Sequence, residues 1–547
     1  MQALTVAIGQ DGIQYFAREL VVEELVKALG GLRPIDRQID VPNFSNKGFG
    51  WKSSFSKIKI NLSRGSISGF HPQYRSIAQQ PEGQFQLDLG AADFKASYAW
   101  HESYHEVFVY KRRPHSMDKT ADFHYEPGVG NLGVAVSLGF VFDQGAKRFD
   151  IKALGSHATA TNMTANIPKE SVLQQQELSC FSGHVNEATA QSVASIDFDG
   201  PISRVLPPLL RSIPASGQLT PEIHYEFDLG DSGLTFPGDK GIAIGVTGRV
   251  SYKGQYYPGD VPAPLPVPPP PSDSHHVQVY VSDYELNALH WAFFQAGLLK
   301  TTVKPADLPD PDVLKVKTYV SAIPAFKPYA TSVMWAEVSP KQAPAVAFQD
   351  VYEFSASVMS SLQQQLPSKI YALLSGLEGD GFASKADLEE DLAAAGVPQE
   401  YFATIEKAAK LMGMVVRQNL EFTLTVQNGA DPAPTLVFDV ARVDILENLA
   451  LGVRGNAQTL QYGFKRAKAD ATFVSTTIPH FDKKNFGDLI WPVAGEPRYD
   501  ATLSAMGKTG VPLPMMKDFQ FHFEQAQVSI QQGFVSVLAQ VAFKGTP

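Results

Sequence analysis

The stretch Val277-Gln-Val-Tyr-Val-Ser-Asp-Tyr-Glu-Leu-Asn-Ala-Leu-His-Trp-Ala-Phe-Phe-Gln-Ala-Gly-Leu-Leu299 decides the fold. Alternation over Val277 to Val281 is a period-two strand pattern. Ser282 followed by Glu285 has the spacing of a capping box, so a helix is expected to run from there to about Leu299. At about 100° per residue, Tyr284, Ala288, Trp291 and Leu298 make one apolar stripe, and Leu286, Leu289, Phe293 and Ala296 make a second. A helix lying on a sheet needs one stripe. Two imply that it packs on a sheet with one face and meets another apolar body with the other.

Immediately upstream, Pro258-Gly-Asp-Val-Pro-Ala-Pro-Leu-Pro-Val-Pro-Pro-Pro-Pro271 is incompatible with helix or sheet, because proline fixes φ and lacks an N–H; it reads as a semi-rigid spacer. The half before it opens in the same way as the half after it. Leu4-Thr-Val-Ala-Ile8 alternates, Asp11 with Gln14 resembles a capping box, and Ile13 to Leu29 carries apolar residues at helical spacing. Val6 and Val279 lie 273 positions apart in 547 residues, the separation expected of tandem copies of one architecture. The expected units are therefore 1–257 and 275–547, joined by a linker at 258–274. Elsewhere one-face-apolar strands predominate, as in Lys57 to Leu62, the run with Ile242, Ile244 and Val246, Leu420 to Val426, and Phe519 to Phe523. Residues 354–419 differ: Phe354, Val358, Leu362 and Leu366 at i,i+4 spacing, then Ala-, Glu- and Lys-rich segments, read as a helical insertion in the second half.

An apolar share of 44% with 19% charged residues is far from the signature of disorder. A net charge of −10 argues against nucleic acid as a partner, since such binding works by phosphate neutralisation. The one cysteine, Cys180, excludes an intramolecular disulfide and suits a reducing compartment. No basic segment followed by an apolar one precedes the first strand, so no signal peptide is expected in the sequence, which favours a cytoplasmic or non-classically exported protein. Charge is polarised: residues 1–120 carry 15 Lys+Arg against 12 Asp+Glu, the remainder 31 against 44.

The strand, Ser282-Asp-Tyr284, Asn287 and Gln295-Ala-Gly-Leu-Leu299 after a proline-rich linker resemble the start of the second barrel in the bactericidal/permeability-increasing protein family. Val511-Pro-Leu-Pro514, Phe519 to Phe523, Val528 to Gln532 and Phe534 to Phe543 are similar to that family's closing hairpin, and Val6 to Ala17 to its first strand and helix. The resemblance implies the tubular lipid-binding fold: α+β, two tandem barrels, each a long helix wrapped by a highly curved antiparallel sheet around an elongated apolar pocket. It implies a non-enzymatic protein that binds phospholipid or a similar long-chain amphiphile for transfer or sequestration, with lipid as ligand and no cofactor. It also implies secretion, against the cysteine usage. Carried onto this chain, the lipid-facing candidates are Ile13, Phe16, Ala17 and Leu20 in the first helix and Leu286, Leu289, Trp291, Phe293 and Phe294 in the second. The helix that the family places before the linker is shortened to Ile202 to Ile213 and broken by Pro207 and Pro208. An accessory protein of a toxin or secretion system, using the same fold to contact a protein partner, is the alternative.

Two motifs compete with this reading and a third extends it. His101-Glu-Ser-Tyr-His105 matches the zincin pattern and carries the enzyme alternative, a zinc hydrolase. That pattern needs a helix to bring both imidazoles to one metal, and the surrounding alternation is that of a strand, in which four residues span about 13 Å. Leu377 to Asp387 has the rhythm of a calcium loop but would place Gly376 and Asp387 at the decisive positions; Ser384 as the N-cap of an acidic helix explains it better. Lys111-Arg-Arg-Pro-His115, the densest basic cluster, makes Lys111, Arg112 and Arg113 the candidates for contact with an anionic membrane, against a solvated loop. Asn61-Leu-Ser63 and Asn162-Met-Thr164 are glycosylation sequons of the kind expected by chance in a chain of this length.

Overall fold

The computed structural model describes residues 3–22, 33–68, 73–80, 83–91, 94–128, 131–143, 148–175, 179–204, 216–236, 241–259, 276–454, 457–513, 519–521 and 526–543. Most of the proline-rich linker and the proline-broken segment after Arg204 lie outside these residues. The chain opens with strand β1 (Leu4–Gly9) and helix α1 (Gln10–Phe16), which continues as a wider turn over Ala17–Val21. Next come the paired strands β2 (Phe44–Gly48) with β3 (Trp51–Ser68) and β4 (Lys95–Tyr110) with β5 (Arg113–Tyr125), then helix α2 (Ser179–Ala194). The second opening is β6 (Val277–Ser282) and α3 (Asp283–Gln295). Strand β7 (Ala345–Glu353) leads into four helices, α4 (Ala356–Gln365), α5 (Ser368–Leu373), α6 (Lys385–Ala394) and α7 (Phe402–Ala409). Three long strands follow, β8 (Lys410–Gln427), β9 (Thr435–Arg454) and β10 (Ala457–Thr476), then helix α8 (Glu496–Thr509) and closing strand β11 (Phe534–Ala539).

Two compact units result, one of residues 1–8, 214–235 and 242–547, the other of residues 9–213 and 236–241. In the first, β1 and β6 are antiparallel neighbours at the centre of a six-stranded sheet, with Val6 directly opposite Val279. The equivalence read from sequence spacing is thus a register pair. β11 extends the sheet on the far side of β6, Val279 facing Val537. A second, eight-stranded antiparallel sheet is built on β8, β9 and β10. The register of β9 on β10 shifts at three places, between Val437 and Phe438, Val443 and Asp444, and Leu446 and Asn448. Each extra residue bends the ladder and increases its twist, which lets strands this long wrap a helix.

The helical insertion has a core of its own, including Phe354, Met359, Leu362, Leu388, Leu392 and Ile405. Helix ends at Ala409, and 410–419, expected to be helical, form the first half of β8 opposite β7. The reason is visible in the burial: Gly413 to Val416 are consecutively buried, a central-strand pattern that local helix propensity does not outweigh.

The other unit contains a five-stranded sheet in which β3, β4 and β5 are neighbours and a four-stranded sheet of Arg148–Thr161, Asn131–Asp143, Gln84–Ala91 and Gln73–Gln80. Trp100, Tyr98, Tyr125 and Phe85 are fully buried in its core. Helix α2 was not legible in the sequence. Its inward stripe is Val185, Thr189, Ser192 and Val193, half of it hydroxyl residues, so apolar periodicity is missing. Those hydroxyls are used: Tyr98 Oη donates to Ser192 Oγ at 3.3 Å, and Tyr125 Oη lies 3.4 Å from Thr189 Oγ1. Burial pushes the Tyr125 phenol up to about 12.

Candidate functional site

Helix α3 is held on β7 by a two-way clamp, Asn287 Nδ2 donating to Val346 O at 2.8 Å and the Val346 N–H donating to Asn287 Oδ1 at 2.7 Å. Both stripes are enclosed along the helix. Leu286, Leu289, Phe293, Tyr284, Ala288 and Ala292 are buried, while Trp291 and Phe294 are half-buried, Trp291 with its ring 6.0 Å from that of Tyr257. The stripe breaks at its end: Leu298 is 46% exposed. Ser282 is the N-cap, but its hydroxyl caps nothing, and Glu285, expected to close a capping box, turns inward instead. Gly248, at φ +57°, leaves room for it, since a Cβ there would stand 2.3 Å from Glu285 Oε2. Neither carboxyl oxygen has a partner, and burial raises its pKa well above the ordinary range. His290 is also buried, with Nε2 2.9 Å from Tyr462 Oη and Nδ1 unpartnered; burial lowers its pKa to about 3, so the ring is neutral.

At the C-terminal end of α3 a cavity of about 540 Å³ opens between Phe293, Leu298 and Leu299 on one side and one face of α8 on the other. Ala501, Ala505 and Met506 give α8's contribution to the apolar wall. Thr301, Thr302, Thr502 and Thr509 add hydroxyls, Thr301 Oγ1 lying 2.6 Å from Thr502 Oγ1. Arg498 and Asp307 lie at the same wall, Arg498 Nε donating to Asp307 O at 3.1 Å. The volume lies in the ordinary range of small-molecule sites, roughly 300–1,000 Å³.

The opposite face of α8 is fixed by a buried polar network. Arg442 on β9 is 2% exposed, and its Nε donates to both oxygens of Asp444 at 2.9 Å while Nη2 donates to Asp444 Oδ1 at 2.7 Å and to Asp500 of α8. Gln418 Nε2 donates to Asp444 Oδ2 at 2.8 Å and its Oε1 accepts from Tyr499 Oη at 2.6 Å. Gly507 brings the helix against β10, where a Cβ would lie 2.0 Å from Tyr462 O. Sequence reading missed α8 and therefore half of this cavity. Tyr499, Leu503 and Met506 at i,i+4,i+7, with Gly510 after the last turn, were the available signal, masked by the loop-like Trp491-Pro-Val-Ala-Gly-Glu-Pro497.

Of the lipid-facing candidates, Phe293 lines the cavity, and Leu286 and Leu289 are buried further along α3. In α1, Ile13 and Ala17 are buried and Phe16 is half-buried; the side chain of Leu20 lies outside the described residues. The α1 N-cap is Gly9 without a side-chain cap, so Asp11 does not form the expected capping box. Lys111, Arg112 and Arg113 are exposed where β4 turns into β5.

The zincin-like motif lies within β4, with its parts on two faces. His101 Nδ1 lies 2.7 Å from Asp122 and His105 Nδ1 2.7 Å from Asp118, each imidazole held separately on the outer face. Glu102 points inward, 1% exposed, accepting from Ser171 Oγ at 2.6 Å, Val172 N at 3.0 Å and Trp100 Nε1 at 3.2 Å. Its role is to pin residues 171–172 to the strand. Ser384 is the N-cap of α6, accepting from the Asp387 N–H at 3.2 Å.

No family model matches the chain, and no curated protein does. Among solved structures it is similar to lipopolysaccharide binding protein, at 13% identity and a TM-score of 0.46 with 99% of each chain covered. It is similar to P47 of Clostridium botulinum E1 at 6% identity and a TM-score of 0.21, with 98% of each covered. Epiphyas postvittana Takeout 1 is matched at 13% identity and a TM-score of 0.12, over 28% of this chain and 66% of that one. The fold is α+β, with a curled antiparallel sheet and a few helices.

Proposed function

We propose that the protein binds a long-chain amphiphile non-enzymatically, with its chain against Phe293, Leu299, Ala501, Ala505 and Met506 and its polar end among the threonines near Arg498. The carrying observation is the cavity itself, whose lining combines apolar side chains from the end of α3 and from α8 with threonine hydroxyls. Each methylene buried contributes about 0.8 kcal/mol. Ten of them therefore contribute about 8 kcal/mol, enough to offset much of the ordering cost of association. Lys111, Arg112 and Arg113 are the proposed contacts with anionic headgroups where the amphiphile is collected or delivered. The test is titration of delipidated protein with a dansyl-labelled long-chain fatty acid. The wild type is expected to give saturable enhancement and Ala505→Trp, which fills an exposed position in the groove without touching the buried core, to give at least a tenfold weaker one. Equal binding by both would remove the cavity from the account.

A further inference from the structure

The sides of the cavity between α3 and α8 hold one another. Beyond the two helices, a third side is the strand Thr301–Val303, which pairs with Val338, Glu337 and Ala336 in the eight-stranded sheet. Two hydrogen bonds tie α8 to this side: Thr301 Oγ1 lies 2.6 Å from Thr502 Oγ1, and just beyond the strand Asp307 O accepts from Arg498 Nε at 3.1 Å. Behind the cavity, α8 lies against β10 at Gly507 and again at Gly510, where a Cβ would stand 2.6 Å from Leu460 O. Helix α3 is clamped on β7 through Asn287. Both helices and the strand are thus anchored away from the cavity, and in a close-packed interior the gap between them has a set width.

A gap of set width has a set capacity. At roughly 30 Å³ for each water-sized group, about 540 Å³ holds about 18 non-hydrogen atoms. One acyl chain of about 16 to 18 carbons with its carboxyl reaches that number, whereas a two-chain phospholipid carries about fifty such atoms and would leave a chain in water. Each methylene left there loses about fourfold in affinity. The α8 wall is kept low by Ala501 and Ala505, exposed residues one helical turn apart that both line the cavity, so the space above them is left to the ligand.

We infer that the cavity is a ruler for a single acyl chain: it selects one-chain amphiphiles of about 16 to 18 carbons and excludes lipids with two chains, with Ala501 setting the length it accepts. The inference rests on the amphiphile-binding reading and deepens it by naming the class of ligand. The first measurement is displacement of the dansyl-labelled fatty acid from delipidated protein by monomeric saturated fatty acids of increasing length, from about 10 to about 22 carbons. Affinity should rise by about fourfold per carbon at first and stop rising at about 16 to 18. Ala501→Leu adds three carbon atoms, about 90 Å³, on the exposed face of α8, and should move that limit shorter by about three carbons while melting with the wild type. The second measurement incubates delipidated wild type with vesicles of palmitoyl-oleoyl-phosphatidylcholine containing one-tenth palmitate, then quantifies the lipid on the re-isolated protein by mass spectrometry. Palmitate should approach the molar amount of protein, with phosphatidylcholine at least tenfold lower. An affinity that climbs through the longest acid, a limit unmoved by Ala501→Leu, or phosphatidylcholine carried as fully as palmitate overturns the ruler and leaves the amphiphile reading standing; failure of every acid to displace the probe, with no saturable binding of the probe itself, removes both.

Discussion

Helices α3 and α8 meet the same residue of β10, α3 through His290 against the Tyr462 phenol and α8 through Gly507 against the Tyr462 carbonyl, yet they bury polar groups in opposite ways. Behind α8, Asp444 is fully buried but receives Arg442 and Gln418, and the network reaches the helix through Asp500 and Tyr499. On α3, Glu285 is equally buried and receives nothing. The difference teaches that one wall of the cavity is held by matched charge, while the helix forming the other is held by apolar packing and the Asn287 clamp and carries titrating groups that work against it.

The largest effect should come from unmatching the α8 side. Arg442→Leu leaves Asp444 buried without its cation and is expected to cost about 3–5 kcal/mol in urea unfolding, the usual penalty for breaking a buried pair from one side. A loss below about 1 kcal/mol would mean that the network does not hold the helix.

On the α3 side the expected sign is reversed. Glu285 has a raised folded pKa, so the folded protein binds a proton that the unfolded chain releases above about 4.5; stability is complete below that pH and falls as pH rises, by about 1.4 kcal/mol per unit. His290, lowered to about 3, acts in the other direction, adding stability as pH rises from about 3 to 6.5. Between 4.5 and 6.5 the two slopes oppose. Glu285→Gln should therefore be more stable than wild type at pH 7 and should uncover a stability that rises with pH up to about 6.5 and is level above it. Parallel wild-type and variant profiles would show that Glu285 does not titrate on unfolding. The smallest change is Tyr462→Phe, which leaves His290 with no partner on either nitrogen and should cost about 1–3 kcal/mol in thermal unfolding, with no change in the slope assigned to Glu285.

Much of this architecture is legible in the sequence because it is written locally. The alternation of Leu4 to Ile8 and of Val277 to Val281 marks two strands that turn out to be register partners, and the double stripe of α3 announces enclosure on both sides. The zincin-like motif could be set aside from strand spacing alone, and β4 shows why, with Glu102 and the two imidazoles on opposite faces. What was not legible depends on distant partners. A serine followed three residues later by glutamate reads the same whether the carboxylate folds back on the helix end or, as Glu285 does, turns into space left by a glycine 37 positions earlier. Helices α2 and α8 use Thr189, Ser192 and Tyr499 on their packed faces and Asp500 at the edge of one, polar residues whose placement makes sense only once Tyr125, Tyr98, Gln418 and Arg442 stand opposite them.

The central claim, that the cavity between α3 and α8 holds an amphiphile, is tested most directly by organic extraction of purified, never-delipidated protein followed by mass spectrometry, with Ala505→Trp purified in parallel. The account predicts long-chain lipid approaching the molar amount of wild-type protein and a sharp loss in the variant at unchanged thermal stability. Wild-type protein free of extractable lipid, or a variant carrying as much as wild type, would contradict it.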